Sequence, residues 1–293
     1  MMRMQRQLGV NTWVWTSPLN DESLARIARR AREIGYEVLE LPVEAPGDWD
    51  PDRAVAALGE VGMTARIVGA MGPGRDLLLD RDRAATQGYL RHCVDVAERL
   101  GSPTVAGPFT AATGRTWRMT PPERTAAVAT LREALMPVAA YAAERGVTLA
   151  VEPLNRYETS LINTVEQALD ALDPLLGAGV GLALDSYHLN IEEQSPAAAI
   201  RLAGKHCQVM QVCGNDRGPA GPDHTDWPGV LDALDDIEYA GPLTLESFTG
   251  NNDTIATAAS IWRPLADSQD ELASITYDFF SDLQHRRAGL PRE

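Results

Sequence analysis

Four oxygen-bearing side chains stand where short apolar runs end: Glu152 in LAVEPLNRYE, Asp185 in LALDSYH, Gln211 in VMQVCGNDR and Glu246 in LTLESF. They follow one another at intervals of 33, 26 and 35 residues, each about one strand-plus-helix unit. Four neighbouring strands presenting one such group each would bring them to a single point. Three carboxylates gathered there repel one another unless a cation lies among them. Carboxylate and amide oxygens are hard ligands, which suit Mn²⁺, Mg²⁺ or Co²⁺ better than zinc or copper. A lone acidic residue at a strand end is ordinarily solvated or caps a helix, so the weight rests on four in succession. Gln211 is the weakest of them, because a glutamine in an apolar strand also finds backbone partners. The same segments carry further polar groups in Glu158, His188 and Arg217, and the loop over 214–227 carries His224.

The elements needed to hold such a cluster are legible. Strand-like runs are expected over 8–15, 37–43, 64–70, 103–107, 148–154, 181–185, 208–213 and 243–247, eight in all. Helical patterns such as SLARIARRAREIG and RTAAVATLREALMPVAAYAAERG lie between them, and a long helical C-terminus, 253–287, is expected to break near Pro264. Thr120-Pro121-Pro122-Glu123 reads as an N-cap, a proline in the first turn and a capping-box glutamate. Ser195-Pro196 reads similarly, and Asn163 with Glu166 fits a capping box with Asn in place of Ser. Gly35, Gly62, Gly101 and Gly146 follow helical runs, where a left-handed C-cap favours glycine. Near-continuous apolar strands joined by helices imply a parallel sheet covered by helices. Eight such units close into a single (β/α)8 TIM barrel, an α/β fold in which chemistry collects at the C-terminal ends of the strands. No GxGxxG or GxxxxGK[ST] phosphate loop follows any strand, which argues against an open doubly wound sheet. No linker or composition break appears, so one domain over 1–293 with a C-terminal helical extension is expected.

The totals agree. A chain of 293 residues suits one barrel of this kind, and 44% hydrophobic content suits a sizeable core. No apolar run reaches membrane-spanning length and the N-terminus lacks a signal core, so a cytoplasmic protein is expected. Cys93, Cys207 and Cys213 have no zinc spacing and read as buried thiols. The formal net charge of −15 repels a phosphate backbone and argues against nucleic-acid binding.

VEPLNRYETSLINT, LALDSYHLNIEE, the stretch from Gln211 to Arg217, and GPLTLESF followed by IWRPLADSQDELA together resemble the ketose 3-epimerases. These D-tagatose and D-allulose 3-epimerases belong to the xylose-isomerase-like barrels. The resemblance is specific over 151–272. It implies that Glu152, Asp185 and Glu246 ligate a divalent metal, Mn²⁺ first, and that Glu152 and Glu246 are also the acid–base pair. It implies that Glu158, His188 and Arg217 hold the carbonyl end of a sugar. At the remaining ligand position the epimerases carry histidine where this chain has Gln211, whose oxygen can also ligate. The chemistry that follows is deprotonation beside a sugar carbonyl, with a metal as Lewis acid for the enediolate and two carboxylates moving the proton. Trp13 and Trp15, one residue apart on an extended run, share a face; core filling is at least as good a reading as a wall for the sugar, with Trp15 the candidate contact. Trp117 is a candidate lid residue, and His224 reads equally as a surface residue or a substrate contact.

The same first step serves a lyase. A 3-oxo-glycoside deprotonated at the same position would eliminate its aglycone, and deglycosidase subunits of this type often work with a small partner chain. The alternative partners are therefore a small-molecule sugar alone, a homo-oligomer, or such a partner subunit. An apurinic endonuclease would need a multi-histidine site and a DNA surface, which five histidines and the acidic balance do not offer. A non-catalytic sugar-binding barrel would not need the pair Glu152 and Glu246.

Overall fold

In a computed structural model that describes residues 4–289, eight parallel strands pair in sequence order and β8 returns to β1, closing a barrel. The expected domain bounds of 1–293 run beyond this; 1–3 and 290–293 lie outside the described residues. In chain order the elements are β1 (Leu8–Asn11), α1 (Asp21–Ile34), β2 (Val38–Val43), α2 (Pro51–Val61), β3 (Thr64–Gly69), α3 (Asp80–Leu100), β4 (Thr104–Gly107) and α4 (Pro121–Ala143). There follow β5 (Thr148–Val151), α5 (Val165–Leu172), β6 (Val180–Asp185), α6 (Ser186–Glu192), α7 (Pro196–Ala203), β7 (Cys207–Val212), α8 (Trp227–Asp236), β8 (Leu243–Leu245), α9 (Asp253–Ala258) and α10 (Gln269–Ala288).

Strand alternation sorts the core into two parts. Ile67, Val105, Leu149, Leu182, Leu184 and Met210 pack outward with the helices in the large cluster. Val68, Ala106, Ala150, Ala183 and Val209 form a separate cluster inside the barrel, with Trp13 and Phe248. Two residues beyond Ala150, Ala183 and Val209 come Glu152, Asp185 and Gln211. The alternation that fills the barrel with small apolar side chains therefore delivers the polar ones to its mouth.

Caps fix where the helices start. Thr120 and Glu123 form the expected capping box at α4, and Ser195 caps α7. At α5 the cap is Thr164 rather than Asn163. The Asn163 amide instead donates to the carbonyls of Leu154 and Thr159, tying down the loop after β5. The C-terminal helical region breaks between α9 and α10, around Pro264 as expected. None of the described helices is long and apolar enough to cross a membrane.

β1 departs from expectation. It ends at Asn11, whose side-chain oxygen accepts from the Trp13 backbone N–H and starts a 3-10 turn over Thr12–Val14. Trp13 and Trp15 thus lie beyond the strand, where the alternation that would put them on one face no longer holds.

Candidate metal and acid–base site

Glu152, Asp185, Gln211 and Glu246 are all buried, and they come from four successive strand ends, β5 to β8. Asp185 closes β6 and caps α6, its Oδ1 accepting from the Tyr187 N–H at 2.9 Å. Its Oδ2 takes an ion pair from Arg217. Arg217 also reaches Glu246 Oε2 at 3.3 Å, and its guanidinium lies 4.1 Å from the centre of the Tyr187 ring. Its backbone is left-handed, with φ of 67°, which costs a non-glycine residue about 1–3 kcal/mol. A tight turn maintains it: the Arg217 N–H donates to Gly214 O at 3.0 Å, and the Ser247 hydroxyl donates to Arg217 O at 2.6 Å. The surrounding structure opposes that strain and aims the guanidinium into the carboxylates.

His188, on the first turns of α6, completes the near shell. Glu152, Asp185 and His188 each offer a ligand atom within 4.8 Å of the others. The Asn155 backbone N–H donates to His188 Nδ1 at 3.1 Å. Arg217 Nη2 stands 3.2 Å from the other ring nitrogen, Nε2, so the ring is held from both sides. Burial, with Arg217 nearby, lowers the His188 pKa to about 3, so neutral is its working state. Glu158 sits one turn along the same loop, its Oε1 accepting from Asn155 Nδ2 at 2.7 Å.

The electrostatics are those of an acid-rich cavity with too little positive charge. Burial, then the neighbouring Glu246 and Asp185, hold the Glu152 carboxyl well above its ordinary range. Burial raises Glu246 in the same way, against the opposing pull of Arg217. Among the buried oxygens without a hydrogen-bond partner in the described residues are two of this cluster, Glu152 Oε1 and Gln211 Oε1. A buried polar atom without a partner costs about 1–3 kcal/mol. Hard oxygens without partners, beside carboxylates that repel, are what a divalent cation would satisfy. The donor set therefore fits one.

One acid was missed by sequence reasoning. Glu40, in the middle of β2, is buried and accepts on Oε2 from Asn11 Nδ2 at 2.8 Å and from Gln211 Nε2 at 2.9 Å. Burial pushes it up to about 7. Looking only at strand ends passed over it; the available signal was a carboxylate inside the apolar run VLELPV.

The aromatic expectations change. Trp15 packs against the outer helical cluster and its indole N–H donates to Asp270 at 2.8 Å. It is Trp13 that lies inside the barrel, 5.5 Å from Phe248. Of the two tryptophans, Trp15, the candidate sugar contact, thus faces the outer layer, and Trp13 faces the barrel interior. His224 is exposed and its ring meets Asn190 at 3.1 Å, a surface placement. Trp117 is half-buried under the Arg115 guanidinium, with its backbone N–H donating to the Ser160 hydroxyl at 2.8 Å. Arg115 pairs with buried Asp76 and so ties the loop after β4 to the loop after β3, while the Trp117 backbone N–H on Ser160 ties it to the loop after β5.

Comparison with known proteins agrees with this geometry. The chain matches the family model described as xylose isomerase-like TIM barrel over residues 28–272. It is 29% identical over 280 residues to a ketose 3-epimerase of Arthrobacter globiformis, covering 94% of this chain and 96% of the relative. It is 30% identical over 264 residues to an L-ribulose 3-epimerase of Mesorhizobium japonicum, covering 88% of each. A solved L-ribulose 3-epimerase superposes with a TM-score of 0.87 at 27% identity over 97% of both chains. A D-allulose 3-epimerase from Methylomonas sp., solved in complex with D-allulose, gives 0.85 at 27% identity over 96% of this chain and 99% of the other. The chain thus belongs to the xylose isomerase-like TIM barrel family, as a sugar epimerase or isomerase related to the ketose 3-epimerases.

Proposed function

We propose that this protein is a ketose 3-epimerase acting on a free ketose, with Glu152 and Glu246 as its acid–base pair and Mn²⁺ as its metal. The observation that carries the reading is the pair itself: two buried carboxylates at the ends of β5 and β8, in one cluster with Asp185 and Arg217, both held above the ordinary carboxylate range by burial. Glu152, Asp185, Gln211 and Glu246 would hold the metal. When bound, it supplies Lewis acidity to the sugar carbonyl and the adjacent hydroxyl.

The protein's own groups divide the remaining work. One of the two carboxylates removes the proton from C3 on one face, and the other returns a proton on the opposite face. Arg217 donates to the oxygens of the carbonyl end, with His188 beside it lining the same end. Glu158, fixed by Asn155, accepts from a sugar hydroxyl. Trp13 and Phe248 provide an apolar wall that excludes water from the carbanion-like carbon.

The test is to strip the protein with a chelator, restore Mn²⁺, and offer D- and L-ketoses beside a 3-oxo-glycoside in deuterated water. Epimerised ketose carrying deuterium at C3 is expected. Aglycone release without ketose turnover would reassign the protein as a lyase, and neither product would defeat the acid–base reading.

A further inference from the structure

We propose that Glu40 is a positioning residue that fixes which end of the Gln211 amide faces the metal. The inference rests on the metal-dependent reading above and concerns the position where this chain departs from the histidine of the ketose 3-epimerases it resembles.

An amide side chain has two ends of nearly equal shape and opposite hydrogen-bonding character. As a ligand, Gln211 is useful only with its oxygen toward the cation. Left to itself the amide could turn over, presenting two N–H donors that repel a cation. The surroundings of Gln211 remove that choice. Its Nε2 donates to Glu40 Oε2 at 2.9 Å and to Glu246 Oε1 at 2.9 Å, so both of its hydrogens are used. Glu40 Oε2 is an acceptor here, since it also takes a hydrogen from Asn11 Nδ2. Turning the amide over would set its oxygen against two carboxylates at once. The nitrogen must face them, and Oε1 is left buried without a partner, on the side away from Glu40.

Glu40 is itself held. Asn11, its register partner on β1, donates to the same Oε2 at 2.8 Å. Asn11 is fixed in turn by the 3-10 turn it caps, through the Trp13 N–H on its Oδ1 at 2.9 Å. A chain of hydrogen bonds therefore runs from the turn after β1, through Asn11 and Glu40, to the Gln211 amide. Glu246 cannot do this alone, because it is itself a candidate ligand and proton carrier and must be free to engage metal and substrate. Glu40 is the partner with no other assigned duty. Partners of this kind typically change metal affinity by about 10–100-fold when lost.

The measurement is Mn²⁺ affinity of the full-length protein by calorimetry, which does not depend on turnover. Glu40→Met removes the acceptor at similar length and should weaken Mn²⁺ binding by at least about tenfold. Glu40→Asp withdraws the acceptor by one methylene and should give an intermediate loss, which keeps the test available if the Met variant does not fold. Glu40→Gln restores a carbonyl oxygen that accepts from both Asn11 and Gln211, and should bind within about threefold of wild type. In a Gln211→Ala background, where there is no amide to orient, Glu40→Met should add less than about a threefold further loss. Equal losses in the two backgrounds, or a Glu40→Gln loss as large as that of Glu40→Met, would overturn the proposal and leave Glu40 as a source of charge. A wild-type protein that binds no Mn²⁺ would instead defeat the metal reading on which the proposal stands.

Discussion

Glu246 and Glu152 carry the strongest expectation at the scale of single residues. Glu246→Gln keeps the size and an oxygen for ligation but removes the proton carrier. A fall in kcat of about 10²–10⁴-fold is expected, with Mn²⁺ still bound; turnover near wild type would show that this carboxylate does not move the proton. The raised carboxylates also link metal to protons. In the metal-free protein Glu40 has a folded pKa of about 7 against an ordinary 4.5, so between those values the folded state holds a proton that the unfolded chain has released. That contribution to stability is complete below about pH 4.5 and is lost as pH rises through 7. Glu152 and Glu246 shift in the same direction. A divalent cation opposes the repulsion that appears as they ionise, so the rise in Tm on adding Mn²⁺ should be larger at about pH 8 than at about pH 5.5. An equal rise at both would mean that the cation does not sit among these groups. His188 has the opposite sign: its pKa is lowered to about 3, so its contribution is present above about 6.5 and is lost as pH falls toward 3. Comparing loaded with stripped protein at each pH separates its effect from that of the carboxylates.

The elements explain why these residues meet. Inward positions on β5, β6 and β7 read Ala150 then Glu152, Ala183 then Asp185, and Val209 then Gln211, so the parity that fills the barrel also loads its mouth. The approach of α4 to the start of β6 sets the framework behind them. Gly179 has φ of +91°, and a Cβ there would collide with the Ala139 carbonyl of α4. Gly179→Ala combines a left-handed conformation with that collision and should cost about 2–3 kcal/mol. The expected result is a Tm lowered by several degrees, with kcat of the folded fraction unchanged. An unaltered Tm would mean that the strand and helix can separate there freely. The turn after β1 shows the limit of reasoning from strand periodicity. The run GVNTWVW reads as one strand, but Asn11 uses its side chain to cap a turn, and that one hydrogen bond sends Trp13 into the barrel and leaves Trp15 on the outer layer.

Across the whole molecule, the N-terminal segment and α10 join at the end of the barrel where the strands begin. The Arg6 N–H donates to Gln284 Oε1 at 2.8 Å, and Gln284 Nε2 donates back to Arg6 O at 3.1 Å. The Arg6 guanidinium pairs with buried Asp235 of α8 at 2.8 Å, and Arg287 of α10 reaches the same carboxylate at 2.9 Å. Asp235→Ala would leave the buried Arg6 charge without its carboxylate, at a cost of about 3 kcal/mol. Thermal unfolding should report it as a drop of several degrees with KM unchanged, since the site lies at the opposite end. A change in KM instead would show that this closure is transmitted to the mouth.

The eight-strand rhythm, the caps at Thr120 and Ser195, and the four polar strand ends were determined by sequence alone, because each depends on spacing along the chain or on a residue's nearest neighbours. The partners of those groups across the barrel were decided by the tertiary structure. Glu40 lies 171 residues from the Gln211 amide it contacts, and nothing in VLELPV distinguishes a carboxylate aimed at the site from one buried for packing. Arg217 lies 32 residues from Asp185, and only the left-handed turn at its own backbone aims it there. Periodicity along a strand sets which face a side chain occupies; barrel closure sets what it meets.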